Sequence, residues 1–132
     1  MRAQALADLV KHLEYAPVEC DGMARLVATV LSQHQIAYQG MAGAITPKGC
    51  DYTIPHFWVQ VGDLVIDYRA QMWLGDGKDI PHGVVKLADY AALYQGKPFQ
   101  LDPLSATLYE IMKMPFPIEM RNGFGAPEGP GS

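Results

Sequence analysis

The 132-residue chain predicts an α+β domain in which helices pack on a small antiparallel sheet. Three observations carry that expectation. Two N-terminal segments repeat apolar residues at helical spacing; a central segment, 56–68, alternates side chains in strand fashion about Gly62-Asp63; and a late segment opens on Asp102-Pro103 ahead of another helical stripe. Hydrophobic residues make up 49 % of the chain and charged residues 18 %, which is enough apolar material for a core and too little charge for disorder.

Ala3, Leu6, Leu9, Val10 and Leu13 recur at helical intervals, so an amphipathic helix is expected from about residue 2 to 14, with Pro17 in the loop beyond it. A second helix starts at Cys20 or Asp21 and runs to about His34, because Met23, Leu26, Val27, Val30 and Leu31 share one face. Cys20 stands at its N-terminus on the buried stripe. Residues 36–45 read as a strand whose small residues permit close approach of another element. Thr46-Pro47-Lys48-Gly49 reads as a turn that carries Cys50 toward the central segment.

In that central segment Gly62-Asp63 predicts a two-residue hairpin turn, which pairs Val61 with Leu64, Val59 with Ile66 and Phe57 with Tyr68. Those six residues make an apolar face. Alternation then puts His56, Trp58 and Gln60 on the other face, beside Val65, Asp67 and Arg69. His56 and Asp67 are diagonal neighbours there, within reach of a hydrogen bond. Gln60 reads as solvated.

Beyond the hairpin, 69–75 is apolar enough for partial burial and 76–78 is an exposed turn. A short strand is expected at 83–87, a short helix at 89–94 that ends before Gly96, and a last helix from 103 to 113 capped by Asp102. The organisation expected is one domain over 1–115 and a Gly/Pro-rich tail over 116–132, its end from Arg121 onward predicted mobile.

A net charge of −4 offers no electrostatic footprint for nucleic acid or an anionic membrane surface. With neither a signal peptide nor a spanning apolar run, the reading is a cytoplasmic protein whose two cysteines are thiols.

The chemistry follows from three residues in order. A thiol needs help to lose its proton, and a helix N-terminus and a neighbouring imidazolium both give it. Asp67 would orient His56, His56 would activate Cys20 and later protonate a leaving amine, and Cys20 would form a thioester. The Cys20 backbone N–H at the helix start is an oxyanion donor. Glu19 and Asp21 flank the thiol with negative charge that works against the thiolate.

The segments Cys20-x-x-x-Ala24-x-x-Val27 through Gly40, then His56-Phe57-Trp58-Val59-x-Val61-Gly62 and Ile66-Asp67, resemble the bacterial transglutaminase-like cysteine protein superfamily over roughly 20–75. The resemblance implies a papain/transglutaminase-like core and a triad of Cys20, His56 and Asp67. It departs from the family pattern in Val18-Glu19 before the cysteine and Tyr68-Arg69 after the aspartate. Cys20-Asp21-Gly22 is also similar to the helix start of NlpC/P60-like peptidases, although His56-x-Trp58 and the following Asp67 fit the first family better.

The expected function is cysteine-dependent acyl chemistry (hydrolysis, deamidation or transamidation) on a peptide, protein or small amide, with no cofactor and no metal. Trp58 would roof the site, and Arg69 would bind a substrate carboxylate or pair with Asp67. Cys50, in a loop without a helix N-terminus, ranks below Cys20 as a rival nucleophile or redox partner. The competing readings are a catalytically inactive binding or inhibitory module on the same fold and, more remotely, a zinc site of Cys20, Cys50, His56 and His82.

Overall fold

The computed structural model describes residues 2–47, 49, 51–75 and 77–114. Cys50 and the C-terminal tail from 115 onward lie outside the described residues, and with them the expectations of a rival thiol and a mobile tail. Helix α1 (Ala3–Val10) tightens into a 3₁₀ turn (Lys11–Leu13), and α2 (Cys20–Gln33) follows after a loop. Strands β1 (Gln39–Ile45), β2 (Ile54–Val61) and β3 (Leu64–Asp67) come next, then a one-turn helix α3 (Ala70–Leu74) and β4 (Gly83–Lys86). A 3₁₀ turn (Leu87–Tyr90), β5 (Tyr94–Phe99) and α4 (Ala106–Lys113) complete the described chain.

The five strands form one sheet in the order β4-β3-β2-β1-β5, with every neighbouring pair antiparallel. The α+β class is therefore as the sequence predicts. The central hairpin has the expected register: Val61 faces Leu64 and Val59 faces Ile66 across a turn whose Gly62 sits at φ 58°, the left-handed conformation that glycine adopts most readily. Phe57 and Tyr68 do not pair, because β3 ends at Asp67.

Both faces of the sheet are covered. On one, Val59, Leu64, Ile66 and Tyr68 pack with Leu6, Val10, Leu26, Val27 and Leu31 from α1 and α2. Leu26 and Leu31 are fully buried, and each such side chain contributes roughly 1.5–3 kcal/mol of transfer free energy. On the other, a smaller core gathers Ile45, Trp58, Val65, Ala70, Leu93 and Tyr94. The face that carries His56 is thus closed: His56 is 1 % exposed and Asp67 3 %.

Two further expectations are corrected. The predicted helix at 89–94 is a 3₁₀ turn that stops at Tyr90, and Tyr94 begins a strand, β5, that pairs with β1. Gly96 and Pro98 hide that strand from a sequence reading, yet both are tolerated on this sheet edge. The last helix starts later than predicted and is capped by Ser105, whose Oγ accepts the Leu108 N–H at 3.2 Å. Asp102-Pro103 stays outside it, since the Leu104 N–H is taken by Thr29 Oγ1 at 2.8 Å and the residue before a proline resists helical backbone. Among the described residues, no helix is long and apolar enough to cross a membrane.

Candidate active site

Asp67 ends β3, and its carboxylate is the hub of the buried polar cluster. Oδ1 accepts the backbone N–H groups of Arg69 (2.9 Å) and Ala70 (3.0 Å), so the residue caps the turn into α3. Oδ2 accepts His56 Nε2–H at 2.8 Å and the Tyr94 hydroxyl at 2.7 Å. Four donors leave the carboxylate little freedom to rotate. Buried charge is tolerated when it is hydrogen-bonded in this way.

The imidazole of His56 is held by Asp67 at Nε2, which leaves Nδ1 as the nitrogen available for chemistry. Nδ1 is buried, and among the described residues none meets it in hydrogen-bond geometry. The Cys20 side chain also acts on the ring. Burial is the largest single influence on His56 and favours the neutral ring. The hydrogen bond to Asp67, the interaction with Cys20 and the charges of both outweigh it, and the pKa rises from 6.5 to about 9. The sequence-predicted trio is therefore gathered in one place, with a tight His56–Asp67 bond and a half-buried Cys20 that falls short of bonding Nδ1.

Cys20 is the first residue of α2, where backbone N–H groups lack intrahelical acceptors. Its placement depends on the preceding loop. A side chain at Gly22 would put a Cβ 2.7 Å from that of Val18, so only glycine lets the loop cross the first helical turn so closely. Arg69 holds the same loop from the other side: Nε donates to the Val18 carbonyl and Nη2 to that of Ala16, each at 2.7 Å, while Nη1 donates to Tyr68 at 2.8 Å.

The Arg69 side chain is tied to the loop before α2, and the charge of Asp67 acts on it. The residue is 7 % exposed and its guanidinium is engaged with backbone carbonyls; the hydrogen bond to Asp67 comes from the Arg69 backbone N–H. Trp58, expected to roof the site, is buried in the smaller core beside it. It is 2 % exposed, stacks on His56 (centroids 6.0 Å apart, 23° between planes) and leans on Tyr94 at 4.7 Å. Gln60, expected to be solvated, accepts the Trp58 indole N–H at 3.1 Å. His82 pairs with Glu14 at 2.6 Å; among the described residues, which leave out Cys50, no three His, Cys, Asp or Glu side chains converge as a metal site.

Tyr94 is the member of the cluster that sequence reasoning missed. It follows Asp67 by 27 residues, in a segment read as the end of a helix, and nothing local in the sequence marks its partner. Burial and the adjacent Asp67 push its phenol far above the ordinary tyrosine range, which keeps it a donor. Next to the site, an open cleft of about 490 Å³ is lined by Glu14, Tyr15, Tyr68, Met72 and His82 and reaches Glu19, the residue before the thiol. Comparison of the chain with protein-family models, with curated proteins and with solved structures finds no match in any of the three.

Proposed function

We propose that the chain performs cysteine-dependent acyl chemistry on an amide or peptide-like substrate, as a transglutaminase-like protein with a papain-type Cys-His-Asp arrangement. One observation carries this reading: a buried His56–Asp67 hydrogen bond of 2.8 Å fixes the imidazole so that its other nitrogen is left for Cys20 at a helix start.

In this mechanism His56 rests as imidazolium at neutral pH, and its charge favours the thiolate of Cys20. The sulfur attacks the substrate carbonyl carbon, and the oxygen takes up the electron pair of the C=O bond. The N–H of Cys20 and the positive end of α2 stabilise that oxyanion. As the tetrahedral species collapses, the C–N bond breaks and Nδ1–H gives its proton to the departing amine, which leaves a thioester and a neutral imidazole. Water or a second amine then attacks the thioester, Nδ1 takes its proton, and the C–S bond breaks to restore thiolate and imidazolium. Through all of this Asp67 stays a carboxylate that orients the ring.

Iodoacetamide labelling of Cys20 tests the reading. Labelling near neutral pH should be fast and should slow by at least about tenfold in His56→Ala, the scale of one activating charge. Slow labelling of equal rate in the two proteins would remove the acyl-transfer mechanism.

The inactive-module reading is favoured by a separate observation. His56 and Asp67 are almost wholly enclosed, which also suits a polar network that only staples the sheet. Under that reading Cys20→Ser leaves the biological activity intact, whereas the enzyme loses turnover.

A further inference from the structure

Resting on the acyl-transfer reading above, we propose that Tyr94 is a positioning residue that limits how tightly Asp67 holds the proton of His56. The Tyr94 hydroxyl and His56 Nε2 share one oxygen, Oδ2, at 2.7 and 2.8 Å, while Oδ1 is occupied by two backbone N–H groups. A donor on an oxygen draws off the charge that the same oxygen offers a second donor. Tyr94 thus weakens the pull of the carboxylate on the imidazolium without displacing it.

The donor is built into place. The Tyr94 ring leans on Trp58, which itself stacks on His56 and is tied to Gln60. Strand β5 comes close enough only because Gly96 lies against Trp58: a Cβ there would fall 2.7 Å from Cη2 of the indole. The opposed Gly43 is constrained more tightly still, its Cβ falling against the Gln95 backbone carbonyl.

The two halves of the reaction give the arrangement its use. Thioester formation needs a protonated ring, and thioester breakdown needs a neutral one. An unmoderated Asp67 would favour the first and stall the second. The titratable groups facing this centre are Asp67 from β3 and Cys20 from α2, which act on His56, together with Asp67 and Tyr90, which act on Tyr94.

The test is an NMR titration of the His56 ring in the unreacted protein and in Tyr94→Phe, which keeps the aromatic packing and deletes the donor. The His56 midpoint should rise by about half a pH unit or more. A purely structural Tyr94 would lower the melting temperature and leave the midpoint in place, and that outcome, like a fall of the midpoint, overturns the proposal. Should Tyr94→Phe fail to fold, 3-fluorotyrosine placed at position 94 supplies a stronger donor and should lower the midpoint; no movement there also overturns it. Because the titration needs no turnover, its result stands apart from the Cys20 labelling experiment, whose failure would remove the acyl-transfer reading alone.

Discussion

The two faces of the sheet are both buried but are held in different ways. The face under α1 and α2 is an apolar interlock of leucines and valines whose stability comes from area removed from water and from close packing. The face bearing His56 and Asp67 has a smaller apolar core and a chain of hydrogen bonds running through Tyr94, Asp67 and His56. Hydrogen bonds add little net stability when made and cost much when broken in the interior. The helix-covered face therefore sets how firmly the protein folds, and the other face sets the orientation of a few polar atoms.

Perturbing each face separately should pull these contributions apart. The largest loss is expected for Leu26→Ala, at about 3–5 kcal/mol of unfolding free energy by denaturant titration, since Leu26 is wholly buried against the helix-covered face. The rate of Cys20 alkylation in the remaining folded protein should not change. Gly96→Ala should cost less, about 3 kcal/mol, because the new methyl must push against Trp58. Here the alkylation rate should fall with stability, and a normal rate in this variant would break the proposed division between the faces.

Smaller again is a pH effect. The His56 pKa lies above its unfolded value of 6.5, at about 9, so the ionised ring stabilises the fold. That contribution is fully present below pH 6.5 and is lost as pH rises through 9, amounting to roughly 2 kcal/mol between pH 7 and 9. His56→Gln should lack this component. Chemical denaturation of both proteins across the range measures it, and an identical pH slope in the two would assign the effect elsewhere.

How much of this was legible in the sequence varies by residue. The hairpin could be read because a two-residue turn and strict alternation fix register together, and that register put His56 and Asp67 on one face. The start of α2 at Cys20 followed from its apolar stripe. By contrast, β5 carries glycine, lysine and proline in an edge strand, so it has no alternation to read, and Tyr94 went with it. The tasks of Arg69 and Gln60 were out of reach for another reason. Both are set by partners that arrive through the fold, a loop carbonyl in one case and an indole in the other.

The tie between Tyr94 and Asp67 bears on the order of events during folding. Strands β3 and β5 are separated in the sheet by β2 and β1, so in a flat sheet they would stand about 14 Å apart at ~4.8 Å per strand. The long tyrosine side chain, the aspartate and the 2.7 Å hydrogen bond between them bridge that separation across the face of the sheet. That contact closes after both neighbours of β1 have docked, well after the local hairpin can form. In refolding followed by pulsed alkylation, fast labelling of Cys20 should then trail the burial of Trp58, so the chain would acquire a reactive sulfur only when the rest of it is already in place.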